Sequence, residues 1–310
     1  MYDVIVIGGG PAGITAAVTA INRRLETLII AERWGGQTAY FMELEDADTH
    51  QVITGEELLS RFRRQLDYLD FCRHFDRVVQ VSPVEDHFSV VTVDNDRFEA
   101  RSLIIATGAK PQRMGVPGED RLVGHGLSYS VVAHGALFLG KDVAVVGTYR
   151  RAQLAVCELA QHAHQVYLFA PELLPSDQPL VPVLRRLPNV SIYEGATIRE
   201  VKGERFVEGI VVETVDGAVL EVPVKGVFVK LPRKPNSELV RDWVDCDEEG
   251  RIKINLYGAT SYPGVFAAGD VTHISEQVLV HIGEGAKAAV EAYAYLLELK
   301  SRGQSGASSG

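Results

Sequence analysis

Cysteine is scarce in this chain. Its only three, Cys72, Cys157 and Cys246, lie far apart and form neither a Cys-x-x-Cys redox pair nor a zinc-ligand spacing. Each reads as a small buried hydrophobe rather than a reactive thiol, and no metal site is expected. Long apolar runs are missing too: no stretch approaches the roughly 20 residues that a helical membrane span needs. Positive charge is in deficit, with 31 basic against 41 acidic residues and a net charge of −10, which weighs against a nucleic-acid partner. Met1 to Ile7 carries no basic leader, so the expectation is a cytoplasmic protein without a membrane partner.

What the chain does have is apolar content and glycine in ordered places. Its 310 residues, 46% of them hydrophobic, suffice for one large or two medium domains. Tyr2-Asp3-Val4-Ile5-Val6-Ile7 suits a central parallel strand, and it runs directly into Gly8-Gly9-Gly10-Pro11-Ala12-Gly13. Ile14 to Asn22 then reads as a helix. This is a G-x-G-x-x-G in the strand–turn–helix setting that dinucleotide binding requires. Gly8 permits the tight turn, Gly10 lets backbone approach a pyrophosphate at the helix N-terminus, and Gly13 allows close helix–strand packing. Leu28 to Ala31 supplies the next strand. Glu32 follows it, about 20 residues beyond the glycines, where a carboxylate reaches ribose hydroxyls.

Four further segments carry a resemblance. Ser102-Leu103-Ile104-Ile105-Ala106-Thr107-Gly108-Ala109 is a buried strand ending in an Ala-Thr-Gly turn. Gly264-Val265-Phe266-Ala267-Ala268-Gly269-Asp270 lies near the C-terminus, and Gly126-Leu127-Ser128-Tyr129 precedes Lys141-Asp142-Val143-Ala144-Val145-Val146-Gly147. Over roughly residues 1 to 298 the chain resembles the small bacterial-type thioredoxin reductases. That resemblance implies an α/β fold with two Rossmann-like nucleotide-binding domains, the second inserted into the first. It implies FAD as the cofactor and a homodimer joined through the FAD domains. Arg33, Gly35, Gly36 and Gln37 would then lie along the isoalloxazine, beside Ala106, Thr107 and Gly108. Asp270, after Gly269, would accept a hydrogen bond from the ribityl chain. Glu276, Gln277 and Val278 would open the last helix toward the flavin pyrimidine, where the family has Arg-Gln-Ala. Exchanging that arginine for Glu276 implies a lower flavin potential than in relatives.

The departures from the family are as informative. Where it has a redox Cys-x-x-Cys followed by an acid, this chain has Ser130-Val131-Val132-Ala133-His134. A serine and an alanine cannot form a disulfide. His134 replaces the acidic proton donor and is a candidate general acid or base near neutral pH. His281, one turn beyond Gln277, is a second candidate, lining the flavin cavity. The family's NADPH turn reads Gly147-Thr148-Tyr149-Arg150-Arg151-Ala152 here, with Tyr149 in place of the glycine that admits the pyrophosphate. The next strand, Gln165 to Phe169, ends in Ala170-Pro171-Glu172, where relatives carry bases for the 2′-phosphate. NADPH is therefore not expected to bind tightly. Tyr149, Arg150 and Arg151 are candidates for another ligand or an acidic partner, and plain surface charge explains the arginines equally well.

These marks divide the chain into an FAD domain of residues 1–115 and 246–300, an inserted domain of 116–245, and a flexible Ser/Gly-rich tail of 301–310. The functional expectation is an FAD oxidoreductase without an internal dithiol, taking electrons from a donor other than NADPH, such as ferredoxin or another small electron-transfer protein. Two alternatives stay open: a non-catalytic flavin-binding redox sensor or regulator, and a flavin oxidase using dioxygen.

Overall fold

Tyr2–Ile7 is rich in β-branched residues, and its last four side chains are buried. Burial on both faces places such a strand inside a parallel sheet. A computed structural model shows this arrangement; it describes residues 1–39, 42–44, 55–68, 70–273 and 277–307. Val4–Ile7 pairs in parallel with Thr27–Ile30 on one side and with Ser102–Ile105 on the other. Thr27–Ile30 continues to the short strand Arg73–His74.

Arg97–Ile105 is long enough to serve two neighbours on its far edge. Its first part pairs antiparallel with His87–Thr92, and its end pairs in parallel with Val265–Ala267. Val78–Val84 and His87–Thr92 form an antiparallel hairpin. The helix Pro11–Asn22 packs on this sheet and against the final helix, Val278–Ala307. A Cβ on Gly285 would lie 2.1 Å from the Ala12 carbonyl oxygen, so glycine is what allows the two helices to approach. Ile14, Ala16, Ala17, Leu66, Ala288 and Ala292 fill the core between them. In the amphipathic helix Gly55–Tyr68, Phe62 and Leu66 turn into this core.

The inserted unit repeats the design. Asp142–Val146 pairs in parallel with Gln165–Ala170 and with Gly226–Val229, and the helix Arg150–Leu159 follows the first of these strands. Val190–Glu194 and Leu127–Ser128 complete a five-stranded parallel sheet. Thr197–Lys202, Gly209–Glu213 and Val219–Pro223 form a separate antiparallel sheet. The α/β fold with two Rossmann-like units is thus as expected.

The division of the chain differs in detail from the sequence reading. Residues 1–39, 55–110 and 234–307 make one unit; 42–44 and 111–233 make the other. The second crossing falls before Lys234 rather than at 245 because Asn236 is tied to the Ala-Thr-Gly turn. Its backbone N–H donates to the Gly108 carbonyl (2.9 Å), its Nδ2 to the Thr107 carbonyl (2.8 Å), and the Thr107 hydroxyl donates to its own carbonyl (2.6 Å). Val240 and Val244 then join the first unit's core. The first crossing falls before Pro111 rather than after 115, since Gln112 N–H donates to the Pro232 carbonyl. The last helix continues through Ala307, past the start of the expected tail at 301, because propagating a formed helix adds a bond for each residue ordered. Among the described residues no helix is long and apolar enough to cross a membrane.

Candidate functional site

The first glycine turn has the shape that its spacing implies. Gly8 has φ of +119°, and a Cβ there would lie 2.2 Å from the Ala106 carbonyl oxygen. A Cβ on Gly13 would lie 1.8 Å from the Gly8 carbonyl oxygen, so both positions exclude any side chain. Gly10 is different. It is the N-cap of Pro11–Asn22, with extended backbone and no side-chain cap, and a Cβ built on it meets nothing within 4 Å. The helix has no acidic residue in its first turn. The free N–H groups of that turn and the open space over Gly10 together make a cradle for an anion. Gly36, with φ of +54°, brings the next loop against this cradle: its Cβ would lie 3.2 Å from Gly10 Cα. Gly35 N–H donates to the Gly9 carbonyl.

Glu32 stands exposed two residues past Thr27–Ile30, and Oε1 is 3.4 Å from Arg77 Nε. Arg33 is exposed. Gln37 is half-buried; its Nε2 donates to the Ala109 carbonyl and lies 3.4 Å from Asp270 Oδ2. Gln37, the Ala106-Thr107-Gly108 turn and Asp270 are therefore gathered around one end of the sheet. Gln277 and Val278 stand at the start of the last helix. Glu276 lies outside the described residues.

His281 is buried, with 6% of its surface exposed, and its Nε2 is 3.2 Å from Asp270 Oδ1. Glu284, which sequence reasoning passed over, joins them. It is only 4% exposed, and its Oε2 accepts a 2.8 Å hydrogen bond from Gly269 N–H. Burial pushes its carboxyl up from the ordinary range, against smaller opposing effects of that hydrogen bond, His281 and Lys287. The available signal was a glutamate set between Gly283 and Gly285, three residues after His281 on the same helix face.

In the inserted unit Gly147 makes the equivalent turn, with φ of +150° and a Cβ position 2.6 Å from the Lys230 carbonyl oxygen. Tyr149 is the N-cap of Arg150–Leu159, at φ −85° and ψ −178°; Gly10 has φ −79° and ψ −177°. The two backbones match, so the Tyr149 side chain leaves from the position that Gly10 keeps open. Its hydroxyl donates to Glu172 Oε2 at 2.6 Å, and Glu172 N–H donates to Thr148 Oγ1. That bond and the carboxylate charge raise the Tyr149 phenol pKa. Arg150 is exposed, whereas Arg151 is engaged, donating to the Leu231 carbonyl at 3.0 Å.

Ser130 caps the short helix Val131–His134, and His134 Nδ1 is 2.7 Å from Ser128 Oγ. Burial, and then the charge of Lys230, push the imidazole pKa down to about 4. That shift leaves the imidazole neutral near pH 7, which favours the base over the acid of the two roles expected of it. The Cys157 and Cys246 thiols are pushed up by burial, which keeps them protonated.

Comparison with known proteins bears on this arrangement. The pyridine nucleotide-disulphide oxidoreductase family model matches residues 2–292. A Staphylococcus epidermidis alkyl hydroperoxide reductase subunit is 36% identical over 303 residues, covering 96% of this chain and 59% of that protein. NADH dehydrogenase of Bacillus subtilis is 34% identical over 301 residues, covering 96% and 59%. The chain thus spans less than two thirds of the length of the curated relatives it matches. A crystal structure of thioredoxin reductase from Streptococcus pyogenes superposes with a TM-score of 0.84 at 32% identity, covering 96% of this chain and 99% of that one.

Proposed function

The chain belongs to the pyridine nucleotide-disulphide oxidoreductase family, and from that premise we propose that it is an FAD-dependent oxidoreductase that uses neither an internal dithiol nor NADPH. When bound, FAD supplies an isoalloxazine ring that takes up and passes on two electrons. The residues of the first unit suit that group. The open space over Gly10 and the uncapped helix start at Pro11–Gly13 accept the pyrophosphate. Glu32 meets the ribose, and Asp270 accepts from the ribityl hydroxyls. The Gln37 amide and the Ala106–Gly108 turn hold the ring end. Gln277 and Val278 direct the last helix toward the flavin pyrimidine.

The contrast between Gly10 and Tyr149 carries the proposal. Two turns with matching backbone differ in that one leaves room for a pyrophosphate while the other projects a phenol hydrogen-bonded to Glu172. Electrons then come from another donor, such as ferredoxin or a comparable small redox protein. With Ser130 and Ala133 in place of a dithiol, they leave without a disulfide step within the chain. The assembly is a homodimer.

A second reading is favoured by Glu172. A carboxylate just past the second strand of a Rossmann unit binds the 2′-hydroxyl of NADH and repels the 2′-phosphate of NADPH. Here NADH enters once Tyr149 swings away from Glu172. Anaerobic mixing of the flavin-loaded protein with NADPH, NADH and reduced ferredoxin, followed at the flavin absorbance, tests both readings. Reduction by ferredoxin alone supports the first, reduction by NADH the second, and rapid stoichiometric bleaching by NADPH removes both.

A further inference from the structure

His281 carries an inference that rests on the FAD reading and deepens it. Three ionisable side chains meet where the Gly269–Asp270 turn touches the final helix. His281 Nε2 is 3.2 Å from Asp270 Oδ1, and Glu284 holds the Gly269 N–H at 2.8 Å. Gly269 is also where the first helix comes in: a Cβ there would lie 3.1 Å from Ala12 Cβ and 3.9 Å from His281 Cγ. The cluster therefore adjoins the helix start that forms the anion cradle. Asp270 on the turn faces His281 Nε2, and Glu284, three residues further along the same helix, interacts electrostatically with both.

Charge balance in such a place is restrictive. Two buried carboxylates and a pyrophosphate within one short stretch repel each other unless protons or cations intervene. Oε1 of Glu284 has no hydrogen-bond partner among the described residues, which suits a protonated acid better than a buried anion. His281 is the imidazole that faces Asp270, with Nε2 at 3.2 Å from Oδ1. It also fixes which way that carboxylate points, leaving Oδ2 toward Gln37.

We propose that His281 is a positioning residue for FAD: set against Asp270 and beside Glu284, it orients the Asp270 carboxylate for the ribityl chain. His281→Gln keeps a donor toward Asp270; His281→Ala does not.

The experiment is FAD titration of the whole chain as apoprotein, read by flavin fluorescence, with circular dichroism to verify folding. His281→Ala weakens binding by at least about tenfold. His281→Gln folds normally and restores part of the affinity lost in His281→Ala. Wild-type affinity in both His281 variants overturns the inference while leaving the FAD reading intact. A wild-type protein that takes up no FAD overturns that reading, and this inference with it.

Discussion

The Tyr149 hydroxyl donates a 2.6 Å hydrogen bond to Glu172 Oε2. In the sequence these residues lie 23 positions apart. In the structure they are one feature, a side-chain clasp across the glycine turn of the inserted unit. The phenol must be protonated to donate, and its raised pKa means that the clasp holds until pH climbs through that elevated value.

Opening the clasp distinguishes a closed site from a rebuilt one. Tyr149→Phe removes the bond and keeps the ring; Tyr149→Gly also restores the space found over Gly10. The expected outcome is measurable NADH binding in Tyr149→Gly, with little or none in Tyr149→Phe, by isothermal calorimetry. NADPH binding stays absent while Glu172 remains, and appears only when Glu172→Arg is added. Equal NADH affinity in wild type and Tyr149→Gly would sink the steric account.

The glycines of the first turn should separate folding from binding. Gly13→Ala pushes a Cβ into the Gly8 carbonyl and is expected to cost about 3 kcal/mol or more, or to abolish soluble expression. Gly10→Val meets open space, so its melting temperature in the apoprotein should stay near wild type while FAD retention falls steeply. The comparison needs only thermal melts and the flavin absorbance of purified protein. If Gly10→Val retains FAD as wild type does, the cradle lies elsewhere.

His134 predicts acid sensitivity. Its pKa falls from 6.5 in the unfolded chain to about 4 in the fold, so the native state binds fewer protons than the unfolded state between those values. Stability is full above about pH 6.5 and drops by up to about 3 kcal/mol as pH falls toward 4. His134→Gln should flatten this part of the denaturation profile. Lys230→Met removes the charge that helps to depress the imidazole, brings the folded pKa closer to 6.5, and should make the loss smaller. An unchanged acid limb in His134→Gln means that other groups govern it.

Assembly is testable directly. Sedimentation velocity at micromolar concentration is expected to show a species of twice the 33.9 kDa chain mass. Phe62 and Leu66 of the amphipathic helix pack into the subunit core. Observation of the 33.9 kDa species alone removes the homodimer.

How much the sequence made legible follows from the range of the forces involved. Strand–glycine–helix turns are local: Gly8, Gly10 and Gly13 follow Tyr2–Ile7 directly, and steric exclusion at Gly8 and Gly13 acts through backbone a few residues away or on the adjacent strand. The α/β class and both strand–glycine–helix turns could therefore be read from the sequence. Tertiary structure alone decided the rest. The parallel register of Asp142–Val146 with Gln165–Ala170 brings Glu172 to Tyr149, and packing of Val278–Ala307 on Pro11–Asn22 brings His281 and Glu284 to the Gly269–Asp270 turn. Burial, which depends on every element packed around a group, lowered the His134 pKa and raised that of Glu284. Residue type names a chemistry, but its charge state and partner are set by neighbours that lie far away along the chain.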